Sequence, residues 1–453
     1  MHSHSSKSRR LVPKGRRPRR RTELGLLLIA SAIIVAAYVL TSLATKNTIP
    51  ANLKLTLAAT LTLGLVAHLA NRWLVPDADP VILPTVIFLN GLGYVMLSRL
   101  DPGEARLQAV WTALSVVMYA ITLLIIKRSK DLERYRYILV VLGLFLLFLP
   151  MIPHIGVDIN GARLWIQVGR FTFQPVEAAK LALCAFFASY FIEKKELLST
   201  PTLRAGNYLL PDPRAFGPIV VGWGVAMLIM AAEKDVGFAL LIFLMFLTML
   251  WLATGRFGYV VVGVIIFLGA TWLGAHLFTQ VNVRIVTWLD PWKYAQTTGY
   301  QLVQAQYALG WGGLGGTGLG LGHPNLIPVV TSDFIFAAIG EELGLMGTSI
   351  VIVAFLVLVG AGIHAGLRAR SEFSKLFAVG LTIVLGLQAF FIMAGIVRLL
   401  PLTGMTLPFV AYGGSALLAN YILIALLMRI SHEGNHSEVS QDFQELYDSS
   451  LQV

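Results

Sequence analysis

The sequence predicts an all-α polytopic membrane protein with about 12 transmembrane helices. Three observations point there. The chain of 453 residues is 56% hydrophobic and only 13% charged, far from soluble-globular usage. Its apolar residues gather into stretches of roughly 20, the length a helix needs to cross a bilayer core. Nine Lys or Arg crowd residues 1–21, just ahead of the first such stretch. A basic flank in that place orients a membrane helix and touches anionic lipid. The net charge of +11 is therefore no argument for nucleic acid.

In chain order, a basic tail (1–23) leads into spans near 24–45, 51–70, 82–98, 107–126, 136–153 and 174–192. Further spans are expected near 215–232, 236–253, 257–279, 333–362, 375–397 and 405–428. The first is read as an uncleaved span, because its apolar run is long and its basic head extended. Glu233, Lys234 and Asp235 leave almost no loop between the seventh and eighth. With the N-terminus inside, the inside segments hold about 24 Lys and Arg and the outside segments about ten. That asymmetry places both termini in the cytoplasm and two large loops, 154–173 and 280–332, outside. Residues 431–453 are expected to be a mobile cytoplasmic tail. The one cysteine, Cys184, lies in an apolar run and reads as a small buried hydrophobe.

The longest polar interruption runs through the second of these loops, between spans 9 and 10, and on to Gly347. A structureless loop of that length is uncommon, and Tyr300, Trp311 and the apolar run after Asn325 argue against disorder. At its end stands Asp333, at the mouth of the apolar helix DFIFAAIGEELG. One reading is helix capping; but Thr331 and Ser332 already offer caps. The other is a base or metal ligand at the outer water boundary, held ionised by the helix dipole. Glu341 and Glu342 lie two turns deeper, and one of them is expected to face a cation that the sequence does not identify.

Glu177 and Lys180 lie three apart at the start of the sixth span, on one helix face. They either neutralise each other and hold helices in register, or line a polar groove open to the outer face. The run GGLGGTGLGLG has no preceding strand and no terminal Gly-Lys-Ser/Thr, so it is not a nucleotide loop. Its glycines are expected to let backbone N–H groups approach an anion or a sugar. His323 is a lone histidine, and no HExxH, paired CxxC or GxSxG element occurs.

These residues fall within an ordered series of motifs: NGARLWI at 160–166, FQPVEAAK at 173–180, KDVG at 234–237 and LDPW at 289–292. GYQLVQAQYALGWGGLGGTGLGLG at 299–322, TSDFIFAAIGEELG at 331–344 and MTLPFVAYGGS at 405–415 complete it. The series resembles the SEDS family (shape, elongation, division and sporulation; RodA, FtsW, SpoVE) over residues 82–430. Two extra N-terminal spans (24–81) before a family core of ten, with a short C-terminal tail, look most like the actinobacterial RodA branch. The chain departs in places: the serine of one family motif is Val176 here, the HTDF of another reads Thr331-Ser332-Asp333-Phe334 without the histidine, and KDVG matches PDLG only loosely.

The resemblance implies a plasma-membrane peptidoglycan glycosyltransferase that polymerises lipid II at the outer face during cell elongation, beside a class B penicillin-binding protein. It carries the family's essential aspartate onto Asp333, as general base or as ligand of a divalent cation (Mg²⁺ or Mn²⁺). It also carries the family's intramembrane Glu and Lys onto Glu177 and Lys180; Arg163, Lys180, Arg284 and the backbone at Gly315, Gly316 and Gly318 are candidates to meet the leaving pyrophosphate by charge or N–H donation, and Gln301 and Gln304 are further substrate-binding candidates. The alternatives are a lipid II flippase, for which many spans and intramembrane charges would also serve, and a scaffold without chemistry.

Overall fold

The structure, a computed structural model, describes residues 16–48, 53–159, 162–169, 171–199, 201–205, 208–211, 213–233 and 235–450. Two N-terminal helices, α1 (Arg16–Lys46) and α2 (Leu53–Leu74), precede α3 (Ile82–Leu100), α4 (Pro102–Ile125) and α5 (Arg136–Phe148). Strands β1 (Gly156–Ile159), β2 (Ala162–Val168) and β3 (Phe171–Phe173) follow, then α6 (Val176–Glu193) and α7 (Lys195–Ser199). A hairpin of β4 (Pro201–Ala205) and β5 (Tyr208–Pro211) leads to α8 (Pro213–Glu233), α9 (Val236–Thr254) and α10 (Gly258–Leu277). The remainder is α11 (Thr279–Leu289), α12 (Tyr300–Gly312), α13 (Ile335–Arg368), α14 (Glu372–Ile396) and α15 (Gly414–Ser450). Among the described residues, eight helices are long and apolar enough to cross a membrane: α1, α3, α4, α9, α10, α13, α14 and α15. The other stretches expected to span lie on α2, α5, α6 and α8.

Helix α6 is the core element. Its residues from Val176 to Phe191 are buried, Ala178 apart. Phe187 packs edge-on against Phe246 of α9, which stacks on Trp223 of α8. At the opposite extreme, α10 buries only Gly263, so nearly all of its apolar surface faces away from the rest of the chain.

The structure departs from the expected outline in four places. The loop 154–173 is not helical or irregular but a three-stranded antiparallel sheet, with Val157 opposite Trp165 and Gln167 opposite Thr172. Its alternating branched residues suit a pleat better than a helix. The loop 280–332 contains α11 and α12, so much of it is helical. Residues 397–413 form no helix, because Pro401, Pro408 and a left-handed Gly404 (φ 74°) interrupt it, and α15 starts only at Gly414. Finally, α15 continues past residue 430 to Ser450. Its extension is docked: Asn435 donates to the Asp77 carbonyl at 2.9 Å, and Glu433 accepts from Ser129 N at 2.7 Å.

The two N-terminal helices are joined to the bundle by buried polar groups. The Glu23 carboxylate pairs with Arg20 and lies 2.7 Å from His68 Nδ1 and 3.3 Å from Asn71 Nδ2. Tyr119 of α4 donates its hydroxyl to Asn71 Oδ1 at 2.5 Å. Removing one member of a buried ion pair strands the other charge. We predict that Glu23→Ala lowers stability by about 3–5 kcal/mol, read as thermal unfolding in detergent; an unchanged midpoint would show that this cluster does not tie α1 and α2 to the bundle.

Candidate active site

The cavity that matters opens where α11, α12, α14 and two irregular segments meet. It holds about 190 Å³ and is lined by Arg284, Thr287 and Trp288 of α11, Thr298 before α12, and Gln301 and Leu302 of α12. Asp333 and Phe334, Phe391 and Ile392, and Leu402 to Met405 close it.

Local structure fixes each polar group. Gly312 lets α12 approach α13: a Cβ there would lie 1.9 Å from the Gly340 carbonyl, so no other residue fits. Arg284 Nη1 donates to the carbonyls of Leu402 (3.2 Å) and Thr403 (2.9 Å), which ties α11 to the segment 397–413. Arg398 makes the tie reciprocal. Its Nε donates to the Trp288 carbonyl, while Trp288 Nε1 donates to the Arg398 carbonyl, both at 3.1 Å. The turn carrying Asp333 is anchored through Thr331, whose carbonyl accepts from Tyr412 N at 2.9 Å.

Asp333 is partly buried, with its carboxyl facing the cavity. No side chain caps α13, so the capping role is not the one built. The sequence suggested a low pKa from the helix dipole. The structure reverses that: burial pushes the Asp333 carboxyl up to about 6, against the opposing pull of a Ser332 hydrogen bond and the Arg284 charge. Asp235 precedes α9 and also senses Arg284; burial pushes it up to about 6 as well. Its weak motif match gave little warning of that link, and its neighbour Lys234 lies outside the described residues.

Of the expected site residues, Asp333, Arg284 and Gln301 come together in the cavity. Gln304 is half-buried one turn along α12 and does not line it. Arg163 is exposed on β2 and stands apart; Asn160 and Gly161 of its motif lie outside the described residues. Thr287, Trp288, Thr298 and Thr403 line the cavity without having been singled out, since hydroxyls and indoles carry no distinctive spacing.

Glu177 and Lys180 differ from the groove reading, because both are fully buried. Lys180 Nζ lies 2.5 Å from Glu177 Oε2, 2.7 Å from Gln388 Oε1 of α14 and 3.4 Å from Asn420 Oδ1 of α15. Gln388 in turn donates to the Thr406 carbonyl at 3.1 Å. The pair therefore staples α6, α14 and α15 and supports the segment beside the cavity.

The glycine-rich turn also departs from expectation. Gly316 N donates to the Gly312 carbonyl, Thr317 N to the Glu341 carbonyl and Gly318 N to the Glu342 carbonyl. Gly316 and Gly318 adopt φ of 80° and 104°, which only glycine reaches cheaply. Those N–H groups are spent inside the protein and are not free for an anion. A Cβ on Gly315 would meet open space.

Lys180→Met should cost about 3–5 kcal/mol by stranding buried Glu177, and the added Glu177→Gln change should recover part of it. Thermal unfolding of the single and double variants checks this. Equal midpoints would mean that the two charges are not coupled.

The FtsW/RodA/SpoVE family model, described as a cell cycle protein, matches residues 82–436. The chain is 40% identical over 425 residues to the peptidoglycan glycosyltransferase RodA of Mycobacterium tuberculosis, covering 91% of each. It is 35% identical over 373 residues to the probable peptidoglycan glycosyltransferase FtsW of Geobacter sulfurreducens, covering 78% of this chain and 95% of that one. Its fold is similar to a chain solved in a peptidoglycan synthase complex that coordinates polymerization and crosslinking (TM-score 0.65, 24% identity, 79% of this chain and 98% of that one). With its apolar spans and a family match over most of its length, the chain is a membrane protein of the SEDS family, to which RodA and FtsW belong.

Proposed function

We infer that the chain is a peptidoglycan glycosyltransferase that joins lipid-linked disaccharides at the outer face of the plasma membrane, with both termini in the cytoplasm. The observation that carries the reading is the placement of Asp333 in a small cavity with Arg284, Thr287, Thr298 and Gln301. The substrate would be lipid II, and a class B penicillin-binding protein would crosslink the product.

The 4-hydroxyl of the acceptor GlcNAc attacks C1 of the donor MurNAc. The C1–O bond to phosphate breaks, and undecaprenyl pyrophosphate leaves with its electron pair. The hydroxyl proton passes to the Asp333 carboxylate, a step that typically contributes roughly 10²–10⁴-fold. A raised pKa suits that task better than an ordinary aspartate's, since a stronger base takes the proton more readily. Arg284 lends positive charge to the departing pyrophosphate. The cavity of about 190 Å³ takes only the reacting ends, because ligand pockets usually hold roughly 300–1,000 Å³. The rest of the sugars and the prenyl tails lie outside it.

Among the described residues no group of three or more His, Cys, Asp or Glu is placed to hold a metal. Mg²⁺ often takes one or two carboxylates and completes its shell with phosphates. In place of the base role, Asp333 together with substrate pyrophosphate would fit that pattern for Mg²⁺ or Mn²⁺, and such an ion would neutralise the leaving group.

The test is glycan synthesis by the purified protein with a co-expressed transpeptidase, lipid II and a divalent cation, resolved on a gel. We expect chains from the wild type and none from Asp333→Ala, with both variants equally folded. Chains from both would move the base elsewhere; chains from neither, with the complex intact, would favour a flippase or a scaffold.

A further inference from the structure

The half-helix that follows Asp333 ends in an ion pair that the mechanism does not use. Within α13, Gly344 adopts a non-helical conformation (φ 65°, ψ −161°), which separates Ile335–Leu343 from the long span beyond it. From Ile335 to Glu342 every residue of this piece is buried. It forms one short rod of about 10 Å from Ile335 to Glu342, with Asp333 on the turn just before its start.

At that far end Glu342 is fully buried, and its Oε1 lies 2.5 Å from Arg99 Nε at the outer end of α3. The same guanidinium donates from Nη2 to the Gly322 carbonyl at 2.7 Å and from Nη1 to Asn325 Oδ1 at 3.0 Å. The other Glu342 oxygen accepts from Gly320 N at 2.9 Å, and Glu341 Oε1 accepts from His323 N at 2.6 Å. One arginine thus joins α3, the end of the half-helix and the C-terminal side of the glycine-rich turn. The extra N-terminal helix closes the far side: a Cβ on Gly320 would meet Thr45 Cγ2 of α1 at 2.9 Å.

We propose that Arg99 is a positioning residue for the glycosyl transfer: by clamping Glu342 and the glycine-rich turn, it sets the axial position of the half-helix and with it Asp333. Three features carry this. The pair is buried, so its charges hold each other strongly. Arg99 uses three nitrogens on three partners, a fork that lysine lacks. The half-helix has no flexible joint between Glu342 and the turn that carries Asp333.

The proposal rests on the glycosyltransferase reading, so its test has one arm that needs no activity. We would compare wild type, Arg99→Lys, and the double variant Arg99→Gln/Glu342→Gln, which removes both charges together and strands neither. Hydrogen exchange over residues 316–325 reports the clamp, and lipid II titrations of the glycan assay report kcat and KM. We expect exchange in that segment to quicken at least tenfold in both variants. kcat should fall at least tenfold, with KM within about twofold and thermal unfolding still cooperative. Arg99→Lys should rescue neither readout. Unchanged exchange would overturn the clamp. Quickened exchange with normal kcat, or a raised KM with normal kcat, would overturn the positioning role. A wild type that makes no glycan would defeat the glycosyltransferase reading instead, while the exchange arm still judges the clamp.

Discussion

A charge inside an apolar bundle must be balanced where it stands, and this constraint organises the structure. Lys180 is held by Glu177, Gln388 and Asn420; Arg99 by Glu342; Arg20 by Glu23. Arg429 donates to the carbonyls of Leu74 and Leu123. The Glu23 and Glu177 pairs each lie on one helix, but their further partners His68, Gln388 and Asn420, like Arg99 and Arg429, reach other helices, so balancing charge also sets helix register. Asp333 is less fully balanced, as are the buried Glu233 and Asp235, and of the three it is the one that lines the cavity. Its nearest balance is Arg284, which is itself shared with two carbonyls and with Asp235. Incomplete compensation beside a cavity leaves a carboxyl of raised basicity facing open space.

The membrane architecture and the cavity are linked through backbone irregularity. Irregular backbone at depth is tolerated where protein or a water-lined cavity satisfies it. Here the segment 397–413, the turn around Asp333 and the glycine-rich turn are all of that kind, and all are bound to neighbouring helices. Helices α6 and α14 supply the rigid side, held together by Lys180 between Glu177 and Gln388, and α14 lends Phe391 and Ile392 to the cavity wall.

The class of the fold was legible because roughly 20-residue apolar stretches separate cleanly. Asp333 stood out as a carboxylate at the mouth of an apolar helix, where residue type alone left capping and chemistry both open; the structure sets it at the cavity without a capping bond. Three things were not. The sheet of residues 156–173 hid inside a loop, although Val157 and Ile159, and Leu164, Ile166 and Val168, alternate as strand residues do. Pairings distant in sequence stayed invisible: Arg99 looks like an ordinary boundary residue until Glu342 folds against it. The glycines of 313–320 were read as an anion cradle because composition shows that a backbone can approach closely, not what it approaches; here it approaches Glu341 and Glu342.

The most direct measurement is the pH dependence of single-turnover glycan synthesis between pH 5 and pH 8, for wild type and Asp333→Glu (both pH limits being about one to two units from the inflection sought). A base with a pKa raised to about 6 is protonated and idle below that value. The rate should therefore fall as pH drops through about 6, with an inflection that moves in the glutamate variant. A flat profile, or an inflection that stays put in Asp333→Glu, would contradict Asp333 as the base.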